Sequence, residues 1–187
     1  MKCALGVAAA VLAPVFVTAQ ASPTTSQALM LNLKPFDQGT VRRALDLAVA
    51  ALALPGCSQV YADFELPSGG TPQDKLDRKG MGPEEFLETL VFIDGSREPV
   101  CRTGRAVLAT HPGTGLVLVC PSFAAFQIGN PRMSASLIIH ESLHALGLGE
   151  DPPTSSEITA RVERRCWKSA RRGLRSTAAL RKRADMR

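Results

Sequence analysis

Two periods of apolar residues run along this chain, and each predicts an element. Val41, Ala44, Leu45, Ala48, Ala51 and Leu52 recur at spacings of three and four and stop before Pro55-Gly56, which predicts an amphipathic helix over residues 40–53. Residues 59–66 alternate well enough to predict a strand, and residues 67–82, rich in Gly, Pro, Asp and Lys, predict a long surface loop. Pro83-Glu84-Glu85 opens a short helix ending near Leu90, its acidic residues suited to the positive end of the helix dipole. Residues 90–93, before Asp94-Gly95, predict another strand. Two β-rich apolar runs, 106–110 and 116–120, flank His111-Pro112-Gly113-Thr114-Gly115, the pattern of a hairpin.

From Ser134 the period is helical again, through Leu137, Ile138, His140, Glu141, His144 and Ala145, and it stops at Gly147, a residue type suited to a left-handed cap. Asp151-Pro152-Pro153 blocks continuation. Thr154-Ser155-Ser156-Glu157 then has the form of a capping box and opens a helix carrying Ile158, Val162 and Cys166. No internal repeat is visible. The elements add up to an α+β fold: a small mixed sheet, built from the strand near Gln59, the strand near Val91 and the 106–120 hairpin, packed on the helix that begins at Ser134 and its neighbours.

Composition narrows the class. With 187 residues, 45% of them apolar, the chain is long enough for one domain with a real core. Its first residues do not belong to that core. Met1-Lys2, an apolar run over residues 4–17 and the exit Ala19-Gln20-Ala21 before Ser22 make the pattern of a cleavable signal peptide over residues 1–21. The run of about 14 residues is too short to cross a bilayer of roughly 30 Å, and no other segment is long and apolar enough to do so. Residues 22–36 read as a flexible lead-in, 37–167 as the folded domain and 168–187 as a basic tail.

Loss of the leader removes Cys3 and leaves Cys57, Cys101, Cys120 and Cys166, an even set in a chain directed to a secreted, periplasmic or otherwise extracytoplasmic compartment. Two disulfides follow. Of three connectivities, Cys101 with Cys120 and Cys57 with Cys166 is favoured, because a hairpin lies between the first pair. No Cys-x-x-Cys knuckle supports a thiolate zinc site. Charge is uneven: residues 22–160 hold 10 Lys or Arg against 15 Asp or Glu, and residues 161–187 hold 11 against two. The basic end suits weak contact with a polyanion, although with Trp167 as its only aromatic it reads first as a solvated helix face and a frayed end.

The chemistry is concentrated in Leu137-Ile138-Ile139-His140-Glu141-Ser142-Leu143-His144-Ala145-Leu146-Gly147. One helical turn separates His140 from His144, so both imidazoles leave the same face and reach a single ion at about 2.0–2.1 Å. Glu141 stands beside the first ligand, where a carboxylate can take a proton from a water activated by Zn²⁺ and pass it to a leaving group. With three His and nine Glu in the chain, composition alone would produce this pattern about once in several hundred such sequences.

The run resembles the zincin metallopeptidases. In its longer form, His140-Glu141-x-x-His144-x-x-Gly147-x-x-Glu150, it is similar to the metzincin motif over about 15 residues. That resemblance implies a sharp turn at Gly147 and a third ligand three residues later, the position of Glu150, where metzincins usually carry His. Asp151, one residue on, and Glu157, if a following helix supplies the ligand as in thermolysin-like gluzincins, are the alternatives. Glu157 is already explained by its capping box and stands closer to His144 than gluzincin spacing usually allows. The methionine turn of metzincins has no counterpart, since Met186 is the only methionine after the motif. Zincins also place an edge strand above the metal, where an extended peptide pairs with it.

Other sites are weaker. His111 sits in a Pro-Gly turn and reads as an exposed turn residue before a ligand. Tyr61, the only tyrosine, reads as a core or surface residue before a group that polarises a substrate carbonyl. Ser68-Gly69-Gly70-Thr71 lacks the Gly-Lys-Ser/Thr of a phosphate loop, and no serine nucleophile elbow exists. The expected function is therefore a secreted zinc-dependent metallopeptidase acting on a peptide or protein substrate, with His140, His144 and Glu150 on Zn²⁺ and Glu141 as general base. The alternative is a secreted, disulfide-stabilised binding or structural domain in which the metal is structural or absent.

Overall fold

The computed structural model describes residues 28–168. The expected signal peptide and most of the basic tail lie outside the described residues. The fold is α+β, eight α-helices around a four-stranded mixed sheet among the described residues.

A strand β1 (Leu29–Leu31) opens the fold, followed by α1 (Pro35–Leu52). The helix begins five residues before the predicted start because Pro35 occupies its first turn, where its missing N–H costs nothing. Its apolar stripe is the predicted one: Val41, Ala44, Leu45, Ala48, Ala51 and Leu52 are all buried. Residues 22–36 are therefore not uniformly a lead-in, since both β1 and the first turn of α1 fall within them.

The strand predicted at 59–66 is absent. A one-turn helix α2 (Pro55–Ser58) runs into a 3₁₀ turn (Gln59–Ala62). Consecutive Val60 and Tyr61 are both fully buried, which a strand with one buried face cannot achieve because neighbours point to opposite sides. The long loop predicted at 67–82 contains a helix, α3 (Pro72–Lys79). Thr71 caps it with a full capping box through Asp74, and Gly80 ends it at φ 65°. That box was legible in Thr71-Pro72-Gln73-Asp74 and was hidden by the polar composition around it.

Next come α4 (Pro83–Glu88), β2 (Val91–Asp94), α5 (Pro99–Arg102) and the hairpin β3 (Leu108–Thr110) and β4 (Leu116–Val119). Sheet order is β1-β2-β4-β3, with β1 and β2 parallel, β2 and β4 parallel, and β3 antiparallel to β4. β1 thus takes the place expected for the strand near Gln59. β3 is an edge. One sheet face, with Phe92, Val117 and Val119, closes on the core, while the other leaves Leu29, Leu31 and Leu116 exposed.

The chain ends in α6 (Phe123–Gly129), α7 (Pro131–Ala145), α8 (Ser155–Glu163) and a π-turn (Arg164–Lys168). α7 is the hub, packed on α1, α6, α8 and β3. From Ser134 to Ala145 only Leu137 escapes full burial, as expected of a helix covered on all sides. Both expected disulfides form, Cys57–Cys166 and Cys101–Cys120. Such bridges fit an extracellular location. Among the described residues no single helix is long and apolar enough to cross a membrane.

Candidate metal centre

Helical geometry puts the motif's side chains where they are needed. His140 and His144 lie one turn apart on α7, with Nε2 atoms 2.8 Å from each other and rings nearly perpendicular. The chain then reverses. Leu148 N donates to Leu143 O at 3.0 Å and Gly147 N to His144 O at 2.7 Å, the paired bonds of a Schellman cap. Gly147 has φ 98°, a conformation that L side chains rarely adopt. This reversal carries Glu150 back over the helix end, where its Oε1 stands 3.2 Å from His144 Nε2 and 3.6 Å from His140 Nε2.

His140, His144 and Glu150 thus each offer one ligand atom within 4.8 Å of the others. Asp151 is exposed and outside this group. Glu157 is committed elsewhere: its carboxylate accepts from Thr154 N at 2.9 Å and Thr154 Oγ1 at 2.8 Å, the capping box predicted for it.

The hydrogen bonds behind the rings decide what the three atoms present. Leu148 O can only accept, so His144 Nδ1, 2.7 Å away, carries a proton. His140 Nδ1 lies 2.9 Å from Thr159 Oγ1 on α8. Burial, and then the neighbouring His144, push the pKa of His140 down to about 4 against the pull of Glu150, so the ring is neutral at pH 7. Two imidazole nitrogens and a carboxylate oxygen thus converge on one point. That donor set suits Zn²⁺.

Glu141 faces the same space from the next position on α7. It is 5% exposed, and burial raises its pKa to about 8, Thr110 offsetting part of that and Glu150 adding to it. Neither Glu141 Oε2 nor Thr110 Oγ1 completes a hydrogen bond within the protein. A buried carboxylate oxygen without a partner is costly to keep.

A cleft of about 420 Å³ opens in front of these residues. His140, Glu141, His144 and Glu150 line its floor, and β3 with Val100 and Leu118 line its walls. The ring side chains are 3% and 5% exposed but Glu150 is 48% exposed, so the centre opens toward solvent on the Glu150 side. β3 supplies a free edge. Val107 O accepts from Cys120 N at 3.1 Å, and main-chain groups alternate along a strand, so those of Leu108 and Thr110 point away from β4. The hairpin is anchored to α7 by Gly113 N donating to His144 O at 2.8 Å.

His111 is exposed on the cleft wall and is not a member of the ligand group. Tyr61 is fully buried in the core, its hydroxyl 2.6 Å from Ser142 Oγ. Thr110 and Thr159 were not singled out from the sequence. Thr159 follows the inward-facing Ile158 on a helix whose apolar stripe was plain, so a small polar side chain beside that stripe was the signal.

No family model, curated protein or solved structure matches this chain.

Proposed function

We propose that the protein is a zinc-dependent metallopeptidase, exported from the cell, that hydrolyses a peptide bond in an extended substrate. The observation that carries this reading is the convergence of His140 Nε2, His144 Nε2 and Glu150 Oε1 beside the buried, unpartnered Glu141 Oε2. The resemblance of the run to the zincins and the leader-like residues 1–21 point the same way. When bound, a zinc ion polarises a carbonyl and lowers the pKa of a coordinated water toward about 7.

The chain's own residues do the rest. The outer edge of β3 offers main-chain donors and acceptors to an extended peptide, which pairs as an added strand and is oriented across the cleft. Glu141 Oε2 accepts a proton from the attacking water and releases it to the departing amine nitrogen. Alone, Glu141 is half protonated near pH 8; positive charge beside it favours the ionised form that a base requires. His140 stays neutral, and both histidines act as ligands.

The test is zinc content by elemental analysis, with cleavage of an unfolded protein assayed on the same samples. One zinc per chain is expected, lost in His144→Ala and Glu150→Ala but kept in Asp151→Ala and Glu157→Ala, with cleavage that requires Glu141. The two disulfides also suit a second reading, a secreted binding or structural domain without catalysis. A folded, metal-free and inert protein would favour that reading.

A further inference from the structure

The two histidines of the candidate centre are oriented by different means. His144 is held by the turn that follows it, since its Nδ1–H donates to Leu148 O four residues on, within the same Schellman cap. His140 has no such local partner. Its Nδ1 meets Thr159 Oγ1, 19 residues away on α8, at 2.9 Å. An imidazole on a helix can rotate about its side-chain torsions, and a bond to the far nitrogen is what fixes both the ring plane and the tautomer.

We infer that Thr159 is the positioning residue of the metal centre, holding His140 so that Nε2 faces His144 and Glu150. This rests on the metal reading above. The Thr159 hydroxyl accepts from Nδ1–H, leaving the Nε2 lone pair free for a cation. A hydroxyl does this without adding a second buried carboxylate beside Glu141.

The bond is only as good as the docking of α8, and α8 is tied down at its far end. Cys166 is bridged to Cys57. Arg165 grips Asp63 with two parallel hydrogen bonds, Nε to Oδ2 at 2.7 Å and Nη2 to Oδ1, and Arg161 reaches the same carboxylate at 3.2 Å. Trp167 Nε1 donates to Ser136 Oγ on α7 at 2.6 Å. The Cys57 and Asp63 tethers hold the end of α8 on the segment that follows α1, Trp167 holds it on α7, and Thr159 is where that docking meets the chemistry.

The experiment measures zinc affinity by competition with a chromophoric chelator for the purified wild-type chain, Thr159→Val and Thr159→Ser, with the melting temperature of each metal-free protein. Valine keeps the shape and removes the acceptor; serine keeps the acceptor. Affinity is expected to fall about 10–100-fold in Thr159→Val and to stay within about threefold of wild type in Thr159→Ser. The downfield proton resonance of His140 Nδ1–H in the zinc-bound protein is expected to persist in Thr159→Ser and to broaden by exchange in Thr159→Val. If valine lowers the metal-free melting temperature, Thr159→Ala compared at a temperature where all variants are folded takes its place. Zinc binding by Thr159→Val as tight as wild type would overturn the inference and leave the metal centre standing. A wild type that binds no zinc would overturn the metal reading and the inference with it.

Discussion

At the scale of single residues, two carboxylates of α7 and its following turn live in opposite environments. Glu150 is half exposed beside two rings, while Glu141 is buried with one oxygen unsatisfied. On the proposed reading that difference separates ligand from base, since a base works best with its pKa raised toward the working pH. Replacement of Glu141 by Gln keeps the shape and removes the proton acceptor. It is expected to lower the rate of peptide hydrolysis about 10²–10⁴-fold while zinc content stays at the wild-type level. Loss of metal in Glu141→Gln would instead make Glu141 part of the binding set.

At the scale of elements, the reversal after α7 matters most, because it delivers Glu150. Gly147 at φ 98° is its pivot, and a Cβ there would also meet Lys75 Nζ at 2.9 Å. The lysine end can swing away, so the left-handed backbone sets the cost, roughly 1–2 kcal/mol. Gly147→Ala is expected to lower the melting temperature and to weaken zinc binding together, measured by thermal unfolding with and without zinc. Unchanged zinc affinity in a destabilised variant would mean that Glu150 does not depend on this turn.

The clamp on α8 has a pH signature. Burial opposes ionisation of Asp63, but hydrogen bonds from Arg165 and Arg161 outweigh it and hold its pKa below the ordinary 3.8. A depressed folded pKa contributes stability above the unfolded value and loses it as pH falls through the folded one. The contribution is therefore complete above about pH 5 and fades on acidification below about pH 4. Asp63→Asn is expected to cost about 1–2 kcal/mol at neutral pH, allowing for solvent around the partly exposed arginines, and to flatten the acid limb of the stability curve. Urea unfolding between pH 3 and 7 checks both.

At the scale of the whole molecule, the two disulfides act over different distances. Cys57–Cys166 spans 109 residues and Cys101–Cys120 spans 19. In the chain-entropy account the longer loop is worth about 4–5 kcal/mol and the shorter about 3 kcal/mol. The double variant Cys57→Ser, Cys166→Ser is thus expected to destabilise the fold more than Cys101→Ser, Cys120→Ser. It should also weaken zinc binding, because Cys166 lies just beyond the helix that carries Thr159. Denaturant titration ranks the first effect and chelator competition the second; equal zinc affinity in both would separate the bridge from the centre.

Much of this molecule was written in neighbouring residues. The three-four spacing of α1, the i, i+4 pair His140 and His144, the capping box at Thr154 and Glu157, and Gly147 as a helix stop all follow from rules a few residues long. The sequence also pointed to both disulfides, through a hairpin lying between Cys101 and Cys120. Failures came where short range misled: residues 59–66 alternate like a strand, yet Cys57 is tied to Cys166 and Val60 and Tyr61 are both drawn into the core. Residues 29–31 look featureless alone and become a strand by pairing in parallel with residues 91–93, some 60 positions away. Tertiary structure alone decided which carboxylate faces the histidines, which strand has the free edge, and that Thr159 stands behind His140. Local spacing dictates which way a side chain leaves its own element, and only packing between distant elements decides what it meets there.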